Sequence, residues 1–120
     1  MNKVQALNSF WSSFSLKAYD ETSVPDDATL PYITYETSIG ELNRKVALTA
    51  SLWYRSFSWE DIELKEIEIA DFIGKGGLLI PYEDSSFWIV KGSPWAQRMA
   101  ESSDDTIRRI VLNVEVEFLD

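Results

Sequence analysis

The sequence contains no cysteine and no histidine among its 120 residues. These two absences exclude disulfides, thiol nucleophiles, zinc sites built on Cys or His, and histidine as a general base. A Ser–His–Asp triad is excluded for the same reason, whereas carboxylate and magnesium chemistry are not. The composition therefore removes most of the common catalytic groups before any motif is considered.

Basic residues are also scarce, with 11 Lys and Arg against 20 Asp and Glu and a net charge of −9. Tight binding to a nucleic-acid backbone depends on Lys and Arg, so this balance argues against non-specific DNA binding. An acidic surface would let DNA slide past without adhering. The plainer interpretation is that the negative charge keeps the protein soluble.

Long apolar runs are absent too, since none approaches the roughly 20 residues that span a bilayer. The first 16 residues include Trp11 and several polar residues where a signal peptide has a continuous apolar core. We therefore expect a protein of cytoplasmic origin. The length and the 45% of hydrophobic residues fit one folded domain over residues 1–120.

The first half of the chain predicts a helix followed by a β-hairpin. Val4, Leu7, Trp11 and Phe14 recur at helical spacing, which predicts a helix over residues 2–14. The polar stretch that follows is typical of a loop. Two segments rich in aromatic and β-branched residues come next, PYITYETSI and VALTASLWYRS, joined by GELNRK. This arrangement predicts two antiparallel strands with a turn between them.

A second helix is predicted over residues 59–73. Ser58 with Asp61 resembles an N-cap followed by an acidic first turn, and Gly74 is suited to ending the helix. Apolar residues lie on more than one side of this helix, which indicates more than one packing partner. The second partner is either the first helix or another subunit.

The last third of the chain predicts three strands. GLLIPYEDSSFWIVKG is typical of two short strands with a turn at EDSS, and KGSPWAQRM, residues 91–99, is expected to be a loop. The closing segment alternates apolar and polar residues over positions 109–118, which predicts a half-buried strand. The fold class is therefore α+β, with a single mainly antiparallel sheet, two helices on one face and the order α-β-β-α-β-β-β.

Candidate sites for chemistry are few. The GKGG segment follows a helix and lacks the spacing of a phosphate-binding loop. Two acidic pairs, Asp26–Asp27 and Asp104–Asp105, lie in predicted loops, where carboxylates are usually solvated. We expect no catalytic residue, no metal site and no cofactor.

The aromatic residues carry more information, because five tryptophans in 120 residues is a high number. Trp, Arg and Met in the KGSPWAQRM segment are typical of an interface, so we predict that Trp95, Arg98 and Met99 contact another protein. The alternative is that Trp95 plugs the end of the sheet, with Met99 as filler. Trp53 is expected to lie under a helix, and Trp11 and Trp88 to serve the core.

Several of these stretches together resemble a known protein family. They are PYITYE, SLWYRS, DFIG, KGSPWAQRM and DDTIRRIVLNVEVEFL, and the resemblance that they carry extends over nearly the whole chain. The combination resembles small tail proteins of siphophages and prophages of Gram-positive bacteria, which are described as minor capsid, tail-completion or tail-terminator proteins. The predicted element order is also similar to the tail-terminator fold of lambdoid phages.

The resemblance implies a structural role and no catalysis. Tail terminators close into a ring, usually a hexamer, which caps the tail tube and presents a surface to the head connector. The implied partners are other copies of the chain, the tail-tube protein and the head-connector protein, with DNA passing through unbound. The implied location is the virion tail, assembled in the host cytoplasm. The alternatives are a head-completion or connector protein, a monomeric protein-binding module, and a magnesium-dependent carboxylate hydrolase.

Overall fold

Six strands and two α-helices make up the fold in the computed structural model, which describes residues 2–37, 45–100 and 103–119. Helix α1 spans Lys3–Trp11 and continues as a 3₁₀ turn over Ser12–Phe14, and helix α2 spans Glu60–Ile73. The strands are β1 Lys17–Asp20, β2 Tyr32–Tyr35, β3 Lys45–Arg55, β4 Leu78–Tyr82, β5 Ser85–Met99 and β6 Ile107–Phe118. None of the helices in these ranges is long and apolar enough to cross a membrane.

The strands form one sheet in the order β1-β2-β3-β6-β5-β4. Strands β1 and β2 run parallel, and all the other neighbours run antiparallel. The predicted α+β class and the mainly antiparallel sheet are thus confirmed, as is the pairing of β2 with β3. The turn predicted between these two strands falls within residues 38–44, outside the described residues.

Strand β1 lies where the sequence predicted a loop. It is only four residues long and pairs with β2 in register from Lys17 opposite Tyr32 to Asp20 opposite Tyr35. A strand of four residues is too short to show an alternation of apolar and polar residues, and it forms here because it pairs with β2. The loop prediction was therefore wrong for residues 17–20.

The KGSPWAQRM segment is not a loop either, since it forms the second half of β5. The pairing of β5 with β6 is interrupted between Lys91 and Ala96 and then resumes, which makes this stretch a bulge. Glycine suits position 92, because a Cβ atom there would lie 3.0 Å from the Asn113 carbonyl oxygen, a tight contact. The Asn113 side chain also donates to the Pro94 carbonyl at 2.9 Å. Gly92 and Pro94 therefore belong to a bulge within the strand, and not to a loop that ends it.

Both helices cover the same face of the sheet, as predicted. Helix α1 contacts the two edge strands β1 and β4, while α2 contacts β3, β5 and β6. The predicted alternation of the last strand is confirmed, and the residues of β6 that face the helices are at most 2% exposed. They are Ile110, Leu112, Val114, Val116 and Phe118.

Helix α2 begins and ends close to the predicted positions. Its N-cap is Trp59 instead of Ser58, although the Ser58 hydroxyl still accepts a hydrogen bond from the Glu60 N–H at 3.0 Å. Gly74 is the C-cap with a φ of +76°, a conformation that favours glycine. The predicted helix stop is therefore confirmed.

The apolar residues of α2 that do not face the sheet lie in two different environments. Phe72 contacts the rings of Phe10 and Phe14, with centroids 6.1 and 5.3 Å away, so one further partner is the first helical segment. Leu64 and Ile67, by contrast, are 60% and 50% exposed. The outer side of α2 thus carries an uncovered apolar surface.

Candidate functional site

The three residues predicted to form an interface lie on opposite faces of the sheet. Trp95 is half-buried against the core, and its indole N–H donates to the Glu66 carboxylate of α2 at 3.0 Å. Arg98 also faces α2 and donates to the Glu63 carboxylate at 2.7 Å. Met99 lies on the helix-free face, opposite Arg109 of β6, and is 39% exposed. The structure therefore does not bring these residues into one surface patch.

Trp95 and Arg98 fasten strand β5 to helix α2 within the subunit. The Arg98 guanidinium stacks on the Trp59 ring at 4.7 Å, and Arg108 of β6 lies on the same ring at 5.3 Å. Arg108 also donates to the Phe57 carbonyl at 2.9 Å, which holds the start of α2 against the sheet. These contacts favour the packing interpretation of Trp95, and a contact of this residue with another subunit stays a prediction.

A row of five side chains crosses the helix-free face of the sheet, and we call it the sheet patch. Neighbouring strands place these residues directly opposite one another in the order Lys17, Tyr32, Trp53, Arg109 and Met99. The strands involved are β1, β2, β3, β6 and β5, so the row runs perpendicular to them. One side chain per strand gives a continuous surface that begins with a cation and contains two aromatic rings.

The centre of the sheet patch is held by polar contacts. The Trp53 indole N–H donates to the Thr34 hydroxyl at 2.9 Å, and the Arg109 guanidinium stacks over the Trp53 ring at 4.6 Å. Arg109 also donates to the Ser51 hydroxyl at 3.2 Å. Neither helix of the described residues covers this face, so the expectation of a helix over Trp53 was wrong.

The other tryptophans divide between the two faces. Trp11 is 2% exposed within the core, which confirms its predicted role. Trp88 is half-buried and lies opposite Glu117 on the helix-free side, so its assignment to the core was wrong. The sequence pattern does not show which face Trp88 occupies, because the segment GLLIPYEDSSFWIVKG has apolar residues at consecutive positions.

A hollow of about 520 Å³ adjoins the sheet patch. It lies between the chain leading into β2 and the strands β3 and β6, and is lined by Ala28, Thr29, Leu30, Tyr32, Trp53, Arg55 and Ile107. Its mixed apolar and aromatic lining, with one guanidinium at the edge, is suited to aliphatic side chains from another protein. A larger open groove of about 1020 Å³ follows α1 and is lined mainly by small polar residues.

Helix α2 is the most acidic element of the described chain, with six carboxylates and one lysine. Two of these carboxylates influence Tyr54 on the neighbouring strand β3. Burial raises the pKa of Tyr54, and the negative charges of Asp61 and Glu68 raise it further. These acids are spread along the helix. Among residues 2–37, 45–100 and 103–119, no group of three or more acidic side chains is arranged to hold a metal ion.

One of the two predicted acidic pairs has a local structural role. The Asp104 carboxylate accepts hydrogen bonds from the Thr106 hydroxyl and N–H and from the Arg55 guanidinium. The bonds from Thr106, followed by that from Arg55, hold the pKa of Asp104 below its ordinary value of 3.8. This carboxylate shapes the turn before β6, as expected of a loop acid.

Comparison with known proteins shows a similarity to a solved structure. No protein-family model matches the chain, and no curated protein matches it. A chain in a structure described as the virion of a native gene transfer agent particle is similar in fold, with a TM-score of 0.54 and 13% sequence identity. The similarity covers 98% of this chain and 85% of that chain. At this identity the likeness establishes a shared fold.

Proposed function

We propose that this protein is a structural component of a virion. The observation that carries the proposal is the similarity of fold to a virion chain over 98% of the residues. The lack of histidine and cysteine is consistent with a role that needs no catalytic group. Its partners would be other virion proteins, and its location the assembled particle.

The more specific proposal is a tail terminator. In this role the protein forms a ring, six subunits in the usual case, that caps the tail tube and joins it to the head connector. Support for this position comes from the resemblance of segments such as PYITYE and KGSPWAQRM to small siphophage tail proteins. The net charge of −9 would let DNA pass through the ring without adhering, if acidic side chains line the lumen.

The test is to combine the purified protein with tail tubes and with head connectors from the same particle. Light scattering over a wide concentration range gives the mass, and negative-stain images show whether rings form and where they bind. A cap at one end of the tubes would support the terminator. Binding to connectors alone would assign the head-completion alternative, and binding to neither would contradict a virion role at this junction.

A further inference from the structure

The outward side of α2 carries a stripe that we call the helix patch. Glu60, Leu64, Ile67 and Asp71 follow one another at spacings of four, three and four residues, so they lie along one line of the helix. All four are exposed. Buried residues Ile62, Ile69 and Ile73 lie on the opposite side. The stripe reads acid, apolar, apolar, acid.

The helix patch and the sheet patch are complementary in the order of their charged and apolar side chains. Along the sheet patch the first four positions read base, aromatic, aromatic, base, from Lys17 to Arg109. An acidic end would meet a basic end at each side, while two aliphatic residues would meet two aromatic rings. Within the subunit, Arg109 contacts Trp53 and Ser51, which hold its guanidinium at this end of the sheet patch.

The dimensions of the two patches also agree. A helix rises about 1.5 Å per residue, so Glu60 and Asp71 are about 16 Å apart along the axis. Strands in a sheet are about 4.8 Å apart, so Lys17 and Arg109, three strands apart, are about 14 Å apart. The hollow beside Tyr32 and Trp53 is where the two aliphatic side chains would enter.

From this match we infer that the helix patch of one copy binds the sheet patch of a second copy. The inference rests on the proposed ring and names the surfaces that would join its subunits. The two patches lie on opposite sides of the subunit, since α2 covers one face of the sheet and the sheet patch occupies the other. Such a contact is head-to-tail, and it generates a ring when the rotation closes.

The apolar centre supplies most of the affinity in this contact, and the charged ends set its register. Exposed ion pairs contribute little, whereas burying Leu64 and Ile67 removes the largest apolar surface on the outside of α2. Raised salt is therefore expected to slow association more than it weakens the finished contact.

Cysteine trapping tests the inference directly, because the chain has no cysteine of its own. With Asp71 at the Arg109 end of the sheet patch, Ile67 lies opposite Trp53, two strands or about 10 Å from Met99. A mixture of the variants Ile67→Cys and Met99→Cys, treated with a bismaleimide long enough to span this distance, is expected to give a covalent dimer. The matched control replaces Met99→Cys with Leu79→Cys, which is exposed on the helix-free side but outside the sheet patch. Loss of the product in the control supports the inference, and equal product in both mixtures, or none in either, overturns it.

A complementation experiment gives a second, independent readout. One variant blocks the helix patch with Leu64→Asp and Ile67→Asp, and the other blocks the sheet patch with Lys17→Glu and Met99→Glu. Each alone should lose self-association, whereas the mixture should form 1:1 dimers that grow no further, since each pair retains one intact contact. Because all four positions are exposed or partly exposed, thermal unfolding should show that both variants remain folded.

The outcomes separate this inference from the proposed function. Rings that persist in both blocked variants would overturn the inference and leave the virion role standing. A trapped head-to-tail dimer from a protein that binds neither tubes nor connectors would support the inference and contradict the function. Absence of any trapped dimer at high concentration overturns the inference, whichever partner the patches bind instead.

Discussion

The two faces of the sheet are made by the same strands but are stabilised in different ways. On the helix-covered face, side chains such as Leu112 and Leu52 are completely buried and held by packing alone. On the helix-free face, Trp53 and Arg109 remain partly exposed and are held by a hydrogen bond and a stacked guanidinium. The covered face accounts for the fold, while the free face keeps amphipathic side chains available for another protein.

The largest expected effect tests this difference on two adjacent residues of β6. Leu112 faces the helices and is 0% exposed, whereas Val111 faces the free side and is half-buried. Leu112→Ala should lower the free energy of unfolding by about 2–5 kcal/mol, because it leaves a cavity in a packed core. Val111→Ala should lower it by about 1 kcal/mol or less. Urea unfolding of both variants measures the contrast, and equal losses would contradict it.

The corner between α2 and β4 is an exception in which the free face is tightly packed. Gly77 has a φ of +90°, and a Cβ atom there would lie 2.5 Å from the Val90 side chain and 2.7 Å from the Ile89 carbonyl oxygen. Gly77→Ala should destabilise the protein by about 2 kcal/mol or more through backbone strain and this clash.

Gly76 provides the control for that corner. A Cβ atom at Gly76 would meet nothing within 4 Å, so Gly76→Ala should change the unfolding midpoint little. Thermal unfolding of the two single variants compares them under the same conditions. A Gly77→Ala variant as stable as Gly76→Ala would show that the corner rearranges freely.

The hydrogen bond beneath the sheet patch is expected to contribute a smaller amount. Trp53→Phe keeps an aromatic ring but removes the N–H that donates to Thr34. Combined with Thr34→Val in a double-mutant cycle, it should give a coupling free energy of about 1 kcal/mol, the usual net value of one hydrogen bond. A coupling near zero would mean that Trp53 is held by stacking with Arg109 instead.

Much of the covered face could be predicted from the sequence. The alternation from Ile110 to Phe118 and the stop at Gly74 were visible because burial imposes a period on apolar residues and a left-handed cap favours glycine. These features depend on local pattern, which a single sequence contains.

The free face could not be predicted in the same way, because its contacts depend on register between distant strands. Trp53 and Met99 are 46 positions apart in the chain, and only the order β3-β6-β5 brings them to one row. The bulge after Lys91 also hid the continuation of β5, since Gly and Pro are typical of loops. Trp95 and Arg98 stand out in the sequence, but their partners on α2 are visible only in the fold.

The smallest expected effect concerns Asp20, at the end of β1 on the edge of the sheet. Its carboxylate accepts hydrogen bonds from the hydroxyls of Thr22 and Thr37 and from the Thr22 N–H, and these bonds hold the pKa of Asp20 below its ordinary value of 3.8. Because the folded-state pKa is the lower one, the charged carboxylate stabilises the fold above about pH 3.8. This stabilisation is lost as the pH falls through the folded-state pKa.

Asp20→Asn should therefore lower the melting temperature near pH 7 by a small amount, and this gap should close as the pH falls through the folded-state pKa of Asp20. Asp27→Asn, at an exposed position in the same connection, is the control because it removes the same single negative charge. Thermal unfolding across the pH range measures both. A gap for Asp20→Asn that stays constant down to the lowest pH would show that the charge is not its source. The stability of strand β1 would then come from its pairing with β2 and not from the charge of Asp20. In that respect the edge of the sheet would resemble the helix-covered face, which is stabilised by apolar packing.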